Sequence, residues 1–166
     1  MPRPRREPLA QAEAAERLAG VVPHLARWIE RLLAAHEPPL TVAQLLALEA
    51  AEEEIAAAQL AERAAVSPAA VSQLLTALED AGLVERLRAS EDRRRQRLVL
   101  TVSGRRTLRS VREALSKGLL PLVNVLRRPE AESLAAALAV LAPAVGGTPP
   151  PRRPPRSRPP RPQRRP

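Results

Sequence analysis

Residues 60–101, LAERAAVSPAAVSQLLTALEDAGLVERLRASEDRRRQRLVLT, decide the fold. The middle of this stretch carries the start and stop signals of one short helix. Ser67 is a good N-cap, and Pro68 suits the first helical position, where no N–H is required. Gly82 suits the left-handed residue just past a helix C-terminus. Between them Val71, Leu74, Leu75 and Leu78 fall at i, i+3, i+4 and i+7 and form one apolar face. The opposite face carries Ala69, Ser72, Gln73 and Thr76, which are small or hydrogen-bonding and uncharged. Such a face can lie against base edges in a DNA major groove. By itself it also fits an ordinary amphipathic core helix with a solvated side.

The flanks sharpen the reading. Ala57 to Ala64 predicts a short helix with Leu60, Ala61 and Ala64 on one side. Ala65 and Val66 leave room only for a tight turn before Ser67, giving a helix-turn-helix with the second helix in the reading position. Downstream, Leu83 to Arg88 predicts a strand with apolar residues at 83, 84 and 87. Arg97 to Thr101 predicts its partner. The loop between them is polar and holds Arg93, Arg94 and Arg95. A basic hairpin beside a helix-turn-helix makes a winged helix, whose tip can place arginine in the minor groove.

These residues resemble the MarR family of bacterial transcriptional regulators. The likeness rests on AQLAERAAVSPAAVSQLLTALEDAGLVER followed by EDRRRQRLVLTVSGRRTL, in which Asp92, Arg93, Arg94, Leu100, Thr101 and Gly104 stand at the family's spacing. LTVAQLLALEA, from Leu40 to Ala50, resembles the helix that precedes the family's helix-turn-helix. The likeness spans about Leu18 to Leu141. The turn position that is often Gly in the family is Ala65 here, which costs roughly 1 kcal/mol if φ is positive there. The resemblance implies that Asp92 orients Arg94 into the minor groove. It also implies a dimer of N- and C-terminal helices and a small-molecule effector pocket where those helices meet the winged lobe. His24, Arg27, Trp28 and Gln44 are the candidates by location, each of them equally suited to ordinary packing.

The chain of 166 residues suits one domain with tails. It has no cysteine, which excludes disulfides, thiolate metal sites and thiol redox sensing. No apolar run is long enough to span a membrane, and the basic N-terminus lacks the apolar core of a secretory signal. A cytoplasmic, nucleoid-associated protein is expected. His24 and His36, the only histidines, are too far apart for i, i+4 ligation, so no metal site and no cofactor are expected. No nucleophile constellation or Gly-rich phosphate loop is present, so an enzyme is a distant reading. With Trp28 as the single Phe, Tyr or Trp, binding by base stacking is disfavoured.

Net charge is +9, but Pro149 to Pro166 holds seven Arg and no acid, and subtracting those seven leaves +2 for the body. Distribution therefore counts for more than the total. Glu85 to Arg97 contains six Arg against three acids, a local +3. Ser67, Pro68, Ala69, Ser72, Gln73, Thr76, Arg86, Asp92, Arg93, Arg94, Arg95 and Arg97 are the candidate DNA contacts. Glu52-Glu53-Glu54 is expected to be a solvated charge run.

In order, the expected organisation is mainly α. A disordered basic arm spans 1–8, and an N-terminal dimerisation helix spans 9–36. The winged helix-turn-helix lobe spans 37–101, the C-terminal dimerisation helices 102–145, and a disordered Pro/Arg tail 146–166. Leu18, Val21, Leu25, Ile29 and Leu32 share a face of the first helix, in which Pro23 should start a new helix or kink the old one. Thr41 should cap the next helix, and Ile55 can touch the wing sheet. Thr101 should cap a long helix with Leu108, Val111, Leu115, Leu119, Leu122 and Leu126 in one seam. Pro121 should bend it, and Gly118 should ease the bend. A last helix opening at Pro129, with Leu134, Leu138 and Leu141 on one side, should end near Pro143. Apolar seams left at both ends predict a homodimer that presents two recognition helices to a pseudo-palindromic duplex operator, with repression as the expected mode. The alternative is a nucleoid-associated or scaffolding protein whose Pro/Arg tail binds nucleic acid or acidic partners without sequence preference.

Overall fold

The structure is a computed structural model that describes residues 7–55, 59–61, 67–88 and 96–147. It is mainly helical, with one hairpin. The elements run α1 (Glu7–Ala34), α2 (Val42–Glu52), α3 (Pro68–Asp80), β1 (Val84–Arg88), β2 (Gln96–Leu100), α4 (Val102–Val123) and α5 (Arg128–Gly147). Residues 59–61 are helical, where the first helix of the helix-turn-helix was expected. The turn at Ala65 and Val66 lies outside the described residues, as do most of the arm and the tail. α1 nevertheless starts at Glu7, inside the expected arm, and α5 takes up Gly146 and Gly147 from the expected tail.

Local chemistry sets the helix ends. Thr41 caps α2 with a full capping box: its hydroxyl accepts from the Gln44 N–H at 3.2 Å, while the Gln44 Oε1 accepts from the Thr41 N–H at 2.8 Å. Ser67 caps α3 by accepting from the Ala70 N–H at 3.2 Å, with Pro68 in the first turn. Thr101 caps α4 by accepting from the Gly104 N–H at 2.9 Å. At its other end α3 closes in a Schellman turn. The Leu83 N–H donates to the Leu78 carbonyl and the Gly82 N–H to the Glu79 carbonyl, with Gly82 at φ 66°.

The core joins all the elements of the lobe. Val71, Leu75 and Leu78 of α3 share one buried core with Leu45, Leu48 and Ala51 of α2, with Leu60 of the helical residues 59–61, with Val84, Leu98 and Leu100 of the hairpin, and with Leu108 and Val111 of α4. Each buried Leu contributes roughly 1.5–3 kcal/mol. Leu33 of α1 also enters this core, so a lobe boundary drawn at 37 and 101 cuts across it. Arg112 of α4 staples the lobe from outside, reaching Glu52 at 2.7 Å and Glu49 at 3.6 Å. Glu52 is thus paired, and the acidic run is not simply solvated.

Several expectations need correction. α5 passes through Pro143 to Gly147, and of the two alternatives at Pro23 the new start is excluded, since α1 runs through it. Both prolines remove one N–H from helices whose sides here are solvent-exposed, where water can serve the freed carbonyl. Leu87 faces outward and is 51% exposed, because the two-residue period that buries Val84 turns Arg86 inward and Leu87 out. Ile55 packs against the core but joins no strand, and the sheet of the described residues has only β1 and β2. α4 ends at Val123, short of Leu126. Its seam divides: Leu108 and Val111 are buried, Leu115 packs on the same core, and Leu122 is exposed. Gly118 serves close packing of helices, since a Cβ there would meet Leu32 Cδ2 of α1 at 2.5 Å.

Candidate nucleic-acid interface

α3 is held by its apolar side, which fixes what its other side presents. Ala69, Ser72, Gln73 and Thr76 are all exposed. The Thr76 hydroxyl donates to the Ser72 carbonyl at 3.0 Å, so it is partly engaged with its own helix. The side chains of Ser72 and Gln73 make no hydrogen bond among the described residues. Gln73 therefore offers an unused amide, with both donor and acceptor, from a rigid helix. Ser67 and Pro68 are exposed at the start of the same helix, the Ser67 oxygen being occupied by its cap.

The hairpin is antiparallel with Val84 opposite Leu100, Arg86 opposite Leu98 and Leu87 opposite Arg97. Arg86 shares the inner face with Leu98 and ion-pairs with Glu79 of α3, Nε to Oε2 at 3.0 Å. Both side chains are only about 30% exposed. This Arg86 is a brace between α3 and the hairpin stem. Arg97 lies on the outer face and meets Glu54, just past α2, at 3.7 Å, with both side chains more than half exposed. Asp92, Arg93, Arg94 and Arg95 lie outside the described residues.

Of the four residues expected near an effector, the structure engages two in structural bonds. Gln44 completes the Thr41 capping box. The Thr-x-x-Gln spacing of Thr41 to Gln44 carries that signal in the sequence itself. Trp28 is half-buried and its Nε1–H donates to the Gly118 carbonyl of α4 at 3.2 Å. Arg31, which sequence reasoning missed, places its guanidinium 5.5 Å from the centre of the Trp28 ring, a cation–π contact one turn along α1. His24 and Arg27 are exposed. A second missed contact ties the turn after α1 to α4: His36 Nδ1 lies 2.9 Å from the Pro38 carbonyl, and its Nε2 lies 3.0 Å from Ser110 Oγ. With Nδ1 protonated toward the carbonyl, Nε2 accepts from the serine.

Among the described residues no group of three or more potential metal ligands occurs, and no helix is long and apolar enough to cross a membrane. Residues 37–95 match the model of the MarR family. The fold is that of the MarR family. The MarR-type arrangement recurs in solved structures. The Rv1404 protein of Mycobacterium tuberculosis is 26% identical, with a TM-score of 0.68 over 85% of this chain and 97% of its own. Rv2887, a MarR family protein of the same organism solved with p-aminosalicylic acid, is 24% identical with a TM-score of 0.64, covering 77% of this chain and 97% of its own. Apo MarR of E. coli is 22% identical with a TM-score of 0.65, covering 76% of this chain and 95% of its own. The comparison with curated protein sequences produced no match. The family resemblance read from the wing motif and the helix-turn-helix is therefore borne out, and so is the fold class.

Proposed function

We propose that this MarR-type chain is a homodimeric, sequence-specific duplex-DNA-binding regulator that represses transcription and is released by a small-molecule effector. The observation that carries the DNA reading is the exposed face of α3, where Ser72 and Gln73 stand unbonded beside an arginine-rich hairpin. In this reading α3 enters the major groove and Gln73 pairs with an adenine edge. The residues of the wing tip supply the minor-groove contact, with Arg94 inserted and Asp92 orienting it, while Arg93, Arg95 and Arg97 serve phosphates. The seven arginines of the tail add affinity for any duplex.

Dimerisation is supported by apolar surface that the single chain leaves open. Leu134, Leu138, Leu141 and Val145 line one side of α5, all at least 39% exposed, and Leu18, Val21 and Val22 of α1 are about half exposed. The p-aminosalicylic acid in the Rv2887 structure supports an aromatic acid as the effector class here, with Trp28 and Arg31 offering a ring and a cation. The deciding experiment is selection of bound duplexes from a random pool, repeated with Gln73→Ala. A reproducible pseudo-palindrome that loses preference at one base pair in the variant supports the reading. Equal retention of all sequences refutes it and favours a non-specific, tail-driven binder.

A further inference from the structure

Among the described residues, two arginine–glutamate pairs tie the hairpin stem to the helical lobe, and they differ in kind. Arg86–Glu79 is close and largely shielded, facing the interior of the lobe. Arg97–Glu54 is longer and open to solvent, on the outer face. An exposed pair of that length is easily exchanged, because water and other ions compete for both partners.

Glu54 is also an exception in the backbone. α2 closes in the same turn that ends α3: the Ile55 N–H donates to the Ala50 carbonyl at 3.1 Å and the Glu54 N–H to the Ala51 carbonyl at 3.3 Å. In α3 the left-handed position of that turn is Gly82, at φ 66°. In α2 it is Glu54, at φ 54°. A Cβ crowds the carbonyl in this conformation, so glycine is the favoured residue and glutamate carries a steric penalty. The strained position is the one that carries the carboxylate facing Arg97.

We infer that Glu54 is a built-in competitor for Arg97, an anion that occupies the arginine in the DNA-free protein and must yield it to a phosphate on binding. This rests on the reading of the hairpin as a DNA contact. Glu54 thereby lowers affinity for DNA of every sequence, and so favours dissociation from non-operator sites without altering base readout. It is a positioning residue and touches no base.

The test is a cycle on the full-length chain, with affinity measured on one selected duplex and one scrambled duplex at low and at moderate salt. Glu54→Gln keeps the side-chain length and removes the charge. It should tighten binding to both duplexes about two- to fivefold at low salt, the scale of one exposed ion pair. The gain should shrink as salt rises. In an Arg97→Ala background the same change should do nothing. An equal gain in that background assigns the effect to the general field of the acid and overturns the inference, as does an unchanged or weaker affinity of Glu54→Gln. Circular dichroism of each variant separates loss of fold from loss of contact. A wild-type chain that binds neither duplex removes the DNA reading itself, an outcome distinct from a wild type that binds and a Glu54 that does not matter.

Discussion

Adding one methyl group at Gly104 should unfold the junction of wing and helix, whereas adding it at Gly20 should stabilise the chain. A Cβ on Gly104 would overlap the backbone carbonyl oxygen of Leu83, with the carbonyl carbon at 3.0 Å and Leu100 Cδ2 at 3.2 Å. That carbonyl accepts from the Thr101 N–H at 3.1 Å. Thr101 in turn caps α4 and donates its hydroxyl to the Gly82 carbonyl at 2.7 Å. A backbone obstacle cannot rotate away as a side chain can. The expected loss combines about 1 kcal/mol for the hydrogen bond, about 1 for the cap and about 1–3 for overpacking, on the order of 3–5 kcal/mol together. Gly20 lies in the exposed part of α1 with nothing within 4 Å of its Cβ position. Gly20→Ala should gain about 0.5–1 kcal/mol, mainly by restricting the unfolded chain. Urea unfolding followed by the fluorescence of Trp28 measures both, at one fixed protein concentration and with the slope checked for constancy. A Gly104→Ala midpoint within error of wild type would refute the reasoning, and so would a shift of the same sign in both variants.

Other expectations follow from single contacts. Trp28→Phe removes the N–H that serves the Gly118 carbonyl and should cost about 1 kcal/mol, read as a lower midpoint in thermal unfolding. Leu138→Glu places a charge in the exposed α5 stripe and should shift sedimentation toward monomer; a wild type already monomeric at micromolar concentration would sink the dimer. The Glu130 carboxyl is held below its usual value of 4.5 by side-chain and then backbone hydrogen bonds from Arg127. A lowered folded pKa means that its contribution is present above the ordinary glutamate range and is lost as pH falls through the folded value. The start of α5 should therefore fray only on acidification below the ordinary glutamate range, seen as loss of helical circular dichroism that Glu130→Gln makes independent of pH. Arg94→Ala should weaken operator binding more than any other wing substitution, and Asp92→Ala should weaken it too, whereas bare charge would make the latter tighter; titrations at two salt concentrations decide between them.

The parts visible in the sequence are those governed by neighbours along the chain. The Ser67-Pro68 start, the Gly82 stop, the Thr41 and Thr101 caps and the period of Val71, Leu75 and Leu78 all depend on spacing within one or two turns. What the sequence hid depends on side chains far apart in the chain. Nothing local distinguishes Arg86, turned inward against Glu79, from Arg97, turned outward against Glu54; only the strand register does. Leu115 carries the same heptad signal as Leu122, yet one packs on the lobe and the other lies open. The expected stop at Pro143 failed because a helix without burial on that side tolerates an unserved carbonyl. Of the candidate site, the α3 face was visible from its period, and the bond of Gln44 to Thr41 was announced by its capping signature, while the contact of Trp28 with Gly118 depends on helices far apart in the chain.

Helix α5 packs substantially against no other described element of its own chain, and none of its described side chains is buried. Such a helix, marginal alone in water, draws its stability from a second molecule. With another copy of the chain as that molecule, folding of α5 obeys mass action, and the melting temperature rises with protein concentration. At low abundance the unpaired chain would expose a frayed, Leu-rich segment to proteases, so the cellular lifetime of the regulator would lengthen as its own level rose.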